Sequence, residues 1–244
     1  MTQQQIAACP VCRNAKQAKI RAFCQSAGIV RFQCDECESI FIYDPPQTNA
    51  VYSQEYNLEF TRPCDVQKAG IMARKIGEIL QNHQKPTNIL EIGAGNGLTA
   101  FLLKQIGHNV ETLDIDAGNA KYLQKKLNIL SFAGEVQDLK CTEGYDLIYA
   151  GHVIEHVRDP HKFLRGIFKN LASGGILYID TPCVNTIHYQ YSDWKHFKTR
   201  TPYEHLILYS QRGLCDLIKN EGFDILQAEI FEEYKSMQIV AGKA

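Results

Sequence analysis

Two tight cysteine pairs, Cys9-Pro10-Val11-Cys12 and Cys34-Asp35-Glu36-Cys37, stand 21 residues apart near the start of the chain. A Cys-x-x-Cys turn brings two thiolates to one side of a knuckle, and two knuckles complete a tetrahedral sulfur cage for zinc. The competing accounts are a redox pair, a disulfide framework and coincidence. A redox pair normally sits at a helix start beside a strand–helix unit, and neither pair does. With all four sulfurs committed the ion has no open position, so the expected site is structural. The stretches between the pairs, Lys19 to Phe23 and Ile29 to Gln33, read as strands with too little apolar material to fold alone, and a metal supplies the missing stability. Cys24, Cys64, Cys141, Cys183 and Cys215 are unpaired in sequence and read as small buried hydrophobes.

A second constellation is Ile89-Leu90-Glu91-Ile92-Gly93-Ala94-Gly95-Asn96-Gly97, where an apolar run meets an acid and three glycines follow at alternate positions. Without Cβ atoms, Gly93, Gly95 and Gly97 permit a tight turn and let a ligand touch the main chain. A helix starting near Leu98 presents free N–H groups to the same place. The bland account is a tight turn and nothing more. A dinucleotide fingerprint needs Gly-x-Gly-x-x-Gly, whose third glycine would fall where Leu98 stands. Glu91 suits a cationic ligand group and repels a pyrophosphate. Asp114, closing the next apolar run, suits both hydroxyls of a ribose. Glu135, after a third run, suits the exocyclic amine of adenine, with the Val136 N–H donating to a ring nitrogen. An ammonium, a ribose and an adenine in that order describe S-adenosylmethionine.

These residues resemble the class I S-adenosylmethionine-dependent methyltransferases, whose motifs match Glu91 to Gly97, Leu113-Asp114-Ile115-Asp116 and Gly134-Glu135-Val136-Gln137-Asp138-Leu139. The likeness continues through Tyr145-Asp146-Leu147-Ile148, Val153-Ile154-Glu155-His156-Val157, Leu171-Ala172-Ser173-Gly174-Gly175 and Thr181-Pro182. It implies an in-line displacement at the sulfonium methyl, with alignment of the reactants as the main protein contribution. The candidate cofactor-binding residues are Glu91, Gly93, Ala94, Gly95, Gly97, Asp114, Ile115, Glu135, Val136 and Gly151.

A hydroxyl or acidic-carbon acceptor is helped by a nearby base, and the candidates are His152, His156 and His205. His152 follows the fourth strand, and His156, four residues on, shares its helix face if a helix begins there. His156 also reads as a residue that holds the loop, and Glu155 as either its orienting partner or a solvated acid. The stretch from Pro182 to Tyr209 interrupts the sheet pattern and is rich in aromatic residues. Loops of that length are usually functional, and the alternative is a hydrophobic brace. Its "YEHLILYS" is similar to the acceptor-side motif of sugar C-methyltransferases that also carry an N-terminal zinc ribbon. In those enzymes a tyrosine about where Tyr56 falls faces the acceptor, so Tyr56 joins the catalytic candidates. Packing between domains is its other reading. The resemblance implies a small-molecule acceptor, with a sugar or nucleotide-sugar as the specific case.

These groups need a frame to hold them. Helical spacing of Ile71, Met72, Ile76, Ile79 and Leu80 predicts a first helix. Strands are predicted at Asn88–Ile92, Val110–Ile115, Leu130–Ala133, Tyr145–Ala150 and Ile176–Asp180, with helices at Leu98–Ile106, Asn119–Leu127 and His161–Leu171. Ser173-Gly174-Gly175 reads as a stop and turn. A last helix, Gln211–Asn220, leads into strands at Phe223–Ile230 and Met237–Val240. Such alternation predicts an α/β fold with a parallel sheet covered on both faces, and the resemblance makes it a Rossmann-like seven-stranded methyltransferase sheet with a small N-terminal zinc ribbon. Asp44-Pro45-Pro46 breaks the chain, so the ribbon is expected over 1–46 and the methyltransferase domain over 47–244. Within the latter, 47–64 connects and 182–209 covers the acceptor.

The totals exclude several classes. A formal charge of −1 offers no basic stripe to neutralise phosphates, which argues against a nucleic-acid partner. The polar, glutamine-rich start lacks the build of a signal peptide, and no apolar run is long enough for a bilayer; the expected location is cytoplasmic. Oligomeric state is not legible. Two alternatives stay open: a zinc-ribbon RNA methyltransferase, and a cofactor-binding module without activity.

Overall fold

A computed structural model describes residues 8–13, 20–26, 29–43, 63–81, 87–186 and 205–243. The chain divides into two compact units. One comprises Met1–Thr48, His152–Arg165 and Ile179–Ala241, and the other Asn49–Gly151, Gly166–Tyr178 and Gly242–Ala244.

In the second unit the run Asn-Ile-Leu-Glu-Ile forms β4 (Asn88–Ile92). Ile89 and Leu90 are both fully buried, as expected where a parallel strand is covered on both faces. β5 (Asn109–Asp114) and β7 (Tyr145–Gly151) flank it in parallel, so that Leu90 lies opposite both Glu111 and Ile148. β6 (Leu130–Ala133) continues beyond β5, with Leu113 opposite Phe132. The chain thus steps outward from β4 through β5 to β6 and returns to the other side of β4 with β7. Ligands of open α/β sheets bind at such a reversal, beyond the carboxyl ends of the strands. Helix α1 (Pro63–Ile79) packs on α2 (Leu98–Gln105), and α3 (Ala117–Leu127) packs on β5 and β6. α1 begins well before Ile71, because Pro63 takes the first helical position, where the missing N–H costs nothing.

Helix α4 (Pro160–Asn170) runs directly into β8 (Leu171–Pro182). The strand passes through Ser173-Gly174-Gly175, where the sequence predicts a stop and turn. Gly174 keeps a left-handed φ of 72° within it. Helix α5 (Gln211–Asn220) then packs on β10 (Phe223–Phe231), which precedes β11 (Ser236–Lys243). The strand order of the seven-stranded sheet is β10-β11-β8-β7-β4-β5-β6, a Rossmann-like α/β sheet.

A second, four-stranded antiparallel sheet lies in the first unit, ordered β1-β2-β3-β9. β1 (Ile20–Ser26) and β2 (Ile29–Cys34) are the predicted ribbon strands. β3 (Ile40–Ile42) and β9 (Ile207–Leu208) were not legible. They pair Ile40 with Leu208 and Phe41 with Ile207, all four almost wholly buried. The apolar material that the strands between the cysteine pairs lack locally therefore comes from residues some 165 positions later in the sequence. Among the described residues no helix is long and apolar enough to cross a membrane.

Candidate active site

The end of β4 carries a buried acid. Glu91 is 5% exposed, and its Oε2 atom has no hydrogen-bond partner among the described residues. Burial pushes its carboxyl up to about 8, opposed by the Ala100 backbone N–H at the start of α2. A carboxylate in such a place calls for a cationic or donating ligand. The turn that follows is left-handed at Gly93, Gly95 and Gly97. Gly93 donates to the Leu113 carbonyl at 2.8 Å, tying the turn to β5. Around Gly95 the space where a Cβ would stand is open, whereas at Gly97 it is occupied: a Cβ would lie 2.5 Å from Leu123 Cδ2 and 2.8 Å from Leu127 Cδ1. Gly97 therefore serves the close approach of α3 as well as the turn. Ala94 is buried beside them.

Asp114 closes β5 with its carboxylate already oriented. Oδ1 accepts from the Asp116 N–H at 2.9 Å and Oδ2 from Asn119 Nδ2 at 2.7 Å. Each oxygen retains a lone pair, which is what two neighbouring hydroxyls require. Asp116 in turn caps α3 by accepting from the Gly118 N–H at 2.7 Å. Ile115 is 55% exposed, an apolar surface beside the acid. The Gly134 N–H donates to the Asp114 carbonyl at 2.8 Å, which sets Glu135 next to it. Glu135 is exposed. Val136 is buried and its carbonyl is held by Asn170 Nδ2 at 3.1 Å. Gly151 ends β7, where a Cβ would collide with the Tyr149 hydroxyl. The Tyr149 ring packs on Tyr178 at 5.3 Å. Every cofactor candidate thus lies in one unit, along the tips of β4, β5, β6 and β7.

The other unit holds the two cysteine pairs and the candidate histidines. Cys9 Sγ and Cys37 Sγ are 3.7 Å apart and Cys12 Sγ and Cys34 Sγ 3.6 Å. All four sulfurs lie within 4.8 Å of one another, and none is in a disulfide. A tetrahedron with zinc–sulfur bonds of about 2.3 Å has edges of about 3.8 Å, so the donor set fits that ion. The knuckle is tied to the start of α5. Ser210 Oγ donates to the Cys37 carbonyl at 2.5 Å and accepts the Gly213 N–H at 2.9 Å as the helix cap. The Ser210 N–H donates to Ser39 Oγ at 3.2 Å.

His152 follows Gly151 in a left-handed conformation, φ 54°, its N–H donating to the Asp180 carbonyl at 2.7 Å. The next turn is a 3-10 helix over Ile154–His156 and not an α-helix, so His152 and His156 do not stack on one helix face. Glu155 stands between them instead. It is fully buried, which disposes of the solvated reading. Its Oε2 accepts from Thr181 Oγ1 at 2.8 Å, and Oε1 lies 3.4 Å from His152 Nδ1 and 3.9 Å from His156 Nε2. Burial pulls the Glu155 carboxyl upward, but the His152 hydrogen bond and the charges of both histidines outweigh it and leave it below the ordinary range. The His156 ring meets His205 edge-on with centroids 4.9 Å apart. Burial lowers His205 to about 4 against the pull of Glu155, so its ring is neutral at pH 7. Glu155, His156 and His205 also offer ligand atoms within 4.8 Å of one another. Tyr56 lies outside the described residues, as does most of 182–209.

Three members of this cluster escaped sequence reasoning. Thr181 holds Glu155. Asp180, buried at the end of β8, is raised chiefly by burial; an acid closing the run Leu177-Tyr178-Ile179 was the available signal. Arg31 of β2 donates through Nη1 to the His205 carbonyl at 3.1 Å, a contact across 174 residues that no local pattern announces.

A Rossmann-like sheet with acids at successive strand tips defines the class of protein. Residues 65–228, two thirds of the chain, match the model of a family described as a methyltransferase domain, and the chain belongs to that family. It is 30% identical over 114 residues to a ubiquinone biosynthesis O-methyltransferase of Rickettsia akari, covering 44% of this chain and 45% of that protein. The chain thus spans less than half the length of such curated relatives. Among solved structures it is similar to a Pyrococcus horikoshii protein, with a TM-score of 0.60 and 15% identity over 78% of this chain and 95% of that one. It is similar also to the magnesium protoporphyrin IX methyltransferase of Synechocystis with bound SAH, with a TM-score of 0.56 and 15% identity over 73% and 83%. At these identities the structural likeness concerns the fold.

Proposed function

We propose that the chain transfers the methyl group of S-adenosylmethionine to a small-molecule acceptor. The observation that carries this reading is Glu91, whose buried carboxyl has an oxygen without a hydrogen-bond partner among the described residues, on the strand beside β5 and its preoriented Asp114. Glu91 takes the amino end of the cofactor, Asp114 the ribose hydroxyls, and Ile115, Glu135 and Val136 the adenine. Ala94, Gly95 and Gly151 give it room at the main chain. When bound, the cofactor supplies an activated methyl, so the residues of the chain need only orient the acceptor and receive its proton.

His205 is the base in this scheme. Its neutral ring can accept a proton, and Glu155 stabilises the resulting imidazolium. His156 and Thr181 hold Glu155 and the ring in place, His152 offers a partly exposed outlet for the proton, and Tyr56 contacts the acceptor. Structural zinc occupies Cys9, Cys12, Cys34 and Cys37. The ribbon comprises 1–46 and the methyltransferase domain 47–244, with 47–64 as connector and 182–209 over the acceptor. Free cysteines at metal spacing suit a reducing compartment, which supports a cytoplasmic location. Two of the proteins named above, the ubiquinone biosynthesis O-methyltransferase and the magnesium protoporphyrin IX methyltransferase, are named for small molecules, which favours a small-molecule acceptor; a sugar or nucleotide-sugar is the specific case drawn from the "YEHLILYS" likeness. The charge of −1 argues against RNA.

The test is production of SAH from S-adenosylmethionine with separate panels of sugars, nucleotide-sugars, phenols and RNA. Turnover is expected on a small molecule, with His205→Ala lowering kcat by roughly 100-fold or more and leaving the KM for the cofactor unchanged. Turnover on RNA alone would overturn the acceptor class.

A further inference from the structure

The ribbon's metal knuckle sits within one unit with the histidine cluster, and the segment 205–210 is fastened to it residue by residue. Arg31 Nη1 holds the carbonyl of His205 at 3.1 Å. The Ile42 N–H of β3 donates to the Leu206 carbonyl at 2.9 Å, and the Leu206 N–H donates to the Glu155 carbonyl at 2.8 Å. Ile207 and Leu208 are the two residues of β9, paired with Phe41 and Ile40. Tyr209 Oη donates to the Ile154 carbonyl at 3.2 Å, just before Glu155. Ser210 bonds both Cys37 and Ser39, and Ser39 lies against the knuckle because the Cys34 N–H donates to its carbonyl at 3.0 Å. At Gly213 a Cβ would come within 2.8 Å of the Cys37 carbonyl, so α5 approaches the knuckle closely.

We propose that the zinc ribbon acts as a metal-dependent support for the histidine cluster, with Arg31 and Ser210 as the positioning residues that transmit the order of the knuckle to His205 and Glu155. The ribbon then has its place in the chain without gripping substrate or nucleic acid. Arg31, 8% exposed, does more than hold the backbone. The groups acting on the His205 ring are Glu155, which favours its charged form, and His156, His152 and Arg31, which disfavour it, all on a background of burial. A cation fixed on β2 therefore helps to keep that ring neutral. Only the naming of His205 as an acceptor-side residue rests on the methyl-transfer reading.

The experiment uses the full chain and needs no turnover. Hydrogen exchange compares the zinc-loaded protein with Cys12→Ser and with chelator-treated wild type. The amides of Ile42 and Leu206 are expected to lose protection with the metal, whereas those of Leu90 and Ile148 keep theirs and report that the second unit stays folded. In parallel, the His205 ring is titrated by NMR in wild type, Arg31→Met and Arg31→Lys, with zinc content measured in each. The expected result is an upward shift of the His205 titration in Arg31→Met at unchanged zinc content, reversed in Arg31→Lys. Unchanged protection at Leu206 after metal loss, or a His205 titration indifferent to Arg31→Met, overturns the proposal. SAH binding in the same samples reports on the cofactor reading separately.

Discussion

Glu91→Gln separates what the acid costs the fold from what it gives the ligand. The Glu91 carboxyl is raised from 4.5 to about 8 by burial. Its folded-state value exceeds its unfolded one, so the unliganded protein is most stable below about pH 4.5 with respect to this group and loses that contribution as pH rises through 8. At about 1.4 kcal/mol for each tenfold, the full loss is roughly 3–5 kcal/mol. Glutamine keeps the shape and cannot ionise. We expect Glu91→Gln to match wild type at acid pH and to exceed it at pH 8.5 by about 3 kcal/mol, or roughly 6–12 °C in Tm for a chain of this size. Ligand binding should show the reverse. At pH 7 Glu91 is about nine-tenths protonated in the free protein, given a value of about 8, and an ammonium drives that proton off. Calorimetry in buffers of different ionisation enthalpy should therefore show release of close to one proton per SAH bound by wild type and none by Glu91→Gln. The variant should also bind about 10- to 100-fold more weakly, for one lost charge-assisted hydrogen bond. A variant less stable than wild type at pH 8.5, or a wild type whose binding ignores the buffer, would refute the reasoning.

Other consequences follow from particular contacts. Gly97→Ala places a Cβ against Leu123 and Leu127 at a φ of +74°, and should cost roughly 2–4 kcal/mol in denaturant unfolding, combining left-handed strain with overpacking; a neutral result would mean that α2 and α3 stand farther apart. Ser210→Ala removes a helix cap and leaves the Cys37 carbonyl without its short donor, for about 2 kcal/mol; a loss below a few tenths would show that water replaces the hydroxyl. Metal analysis should find one zinc per chain held by the four cysteines, lost on Cys34→Ser. A second ion held by nitrogen and oxygen would instead assign Glu155, His156 and His205 to a metal.

The sheet was legible because its strands announce themselves locally. Ile89-Leu90, Leu113 and Leu147-Ile148 are buried apolar runs, and such runs bounded by glycines and acids have few other uses. The cysteine pairs were legible by spacing alone. The β3–β9 side of the four-stranded sheet was not, because these strands are three and two residues long, too short for any periodicity, and their pairing is set by tertiary contact. The two histidines read as one helix face because a spacing of four is helical; a left-handed His152 and a 3-10 turn put the intervening acid between them instead. Glu155 could not be told from a solvated residue by type, since the Thr181 hydroxyl and the imidazoles that make its burial tolerable are brought to it by the fold. Gly174 illustrates the converse: a glycine pair that reads as a stop was absorbed into a strand.

The central claim is a nucleoside site across the tips of β4 and β5. Titration calorimetry of SAH into wild type and Asp114→Ala tests it most directly. One SAH should bind per chain, and the alanine variant should lose about 100-fold or more, since two charge-assisted hydrogen bonds to the ribose go with the carboxylate. A wild type that takes up no SAH, or an Asp114→Ala that binds it as well, would contradict the account.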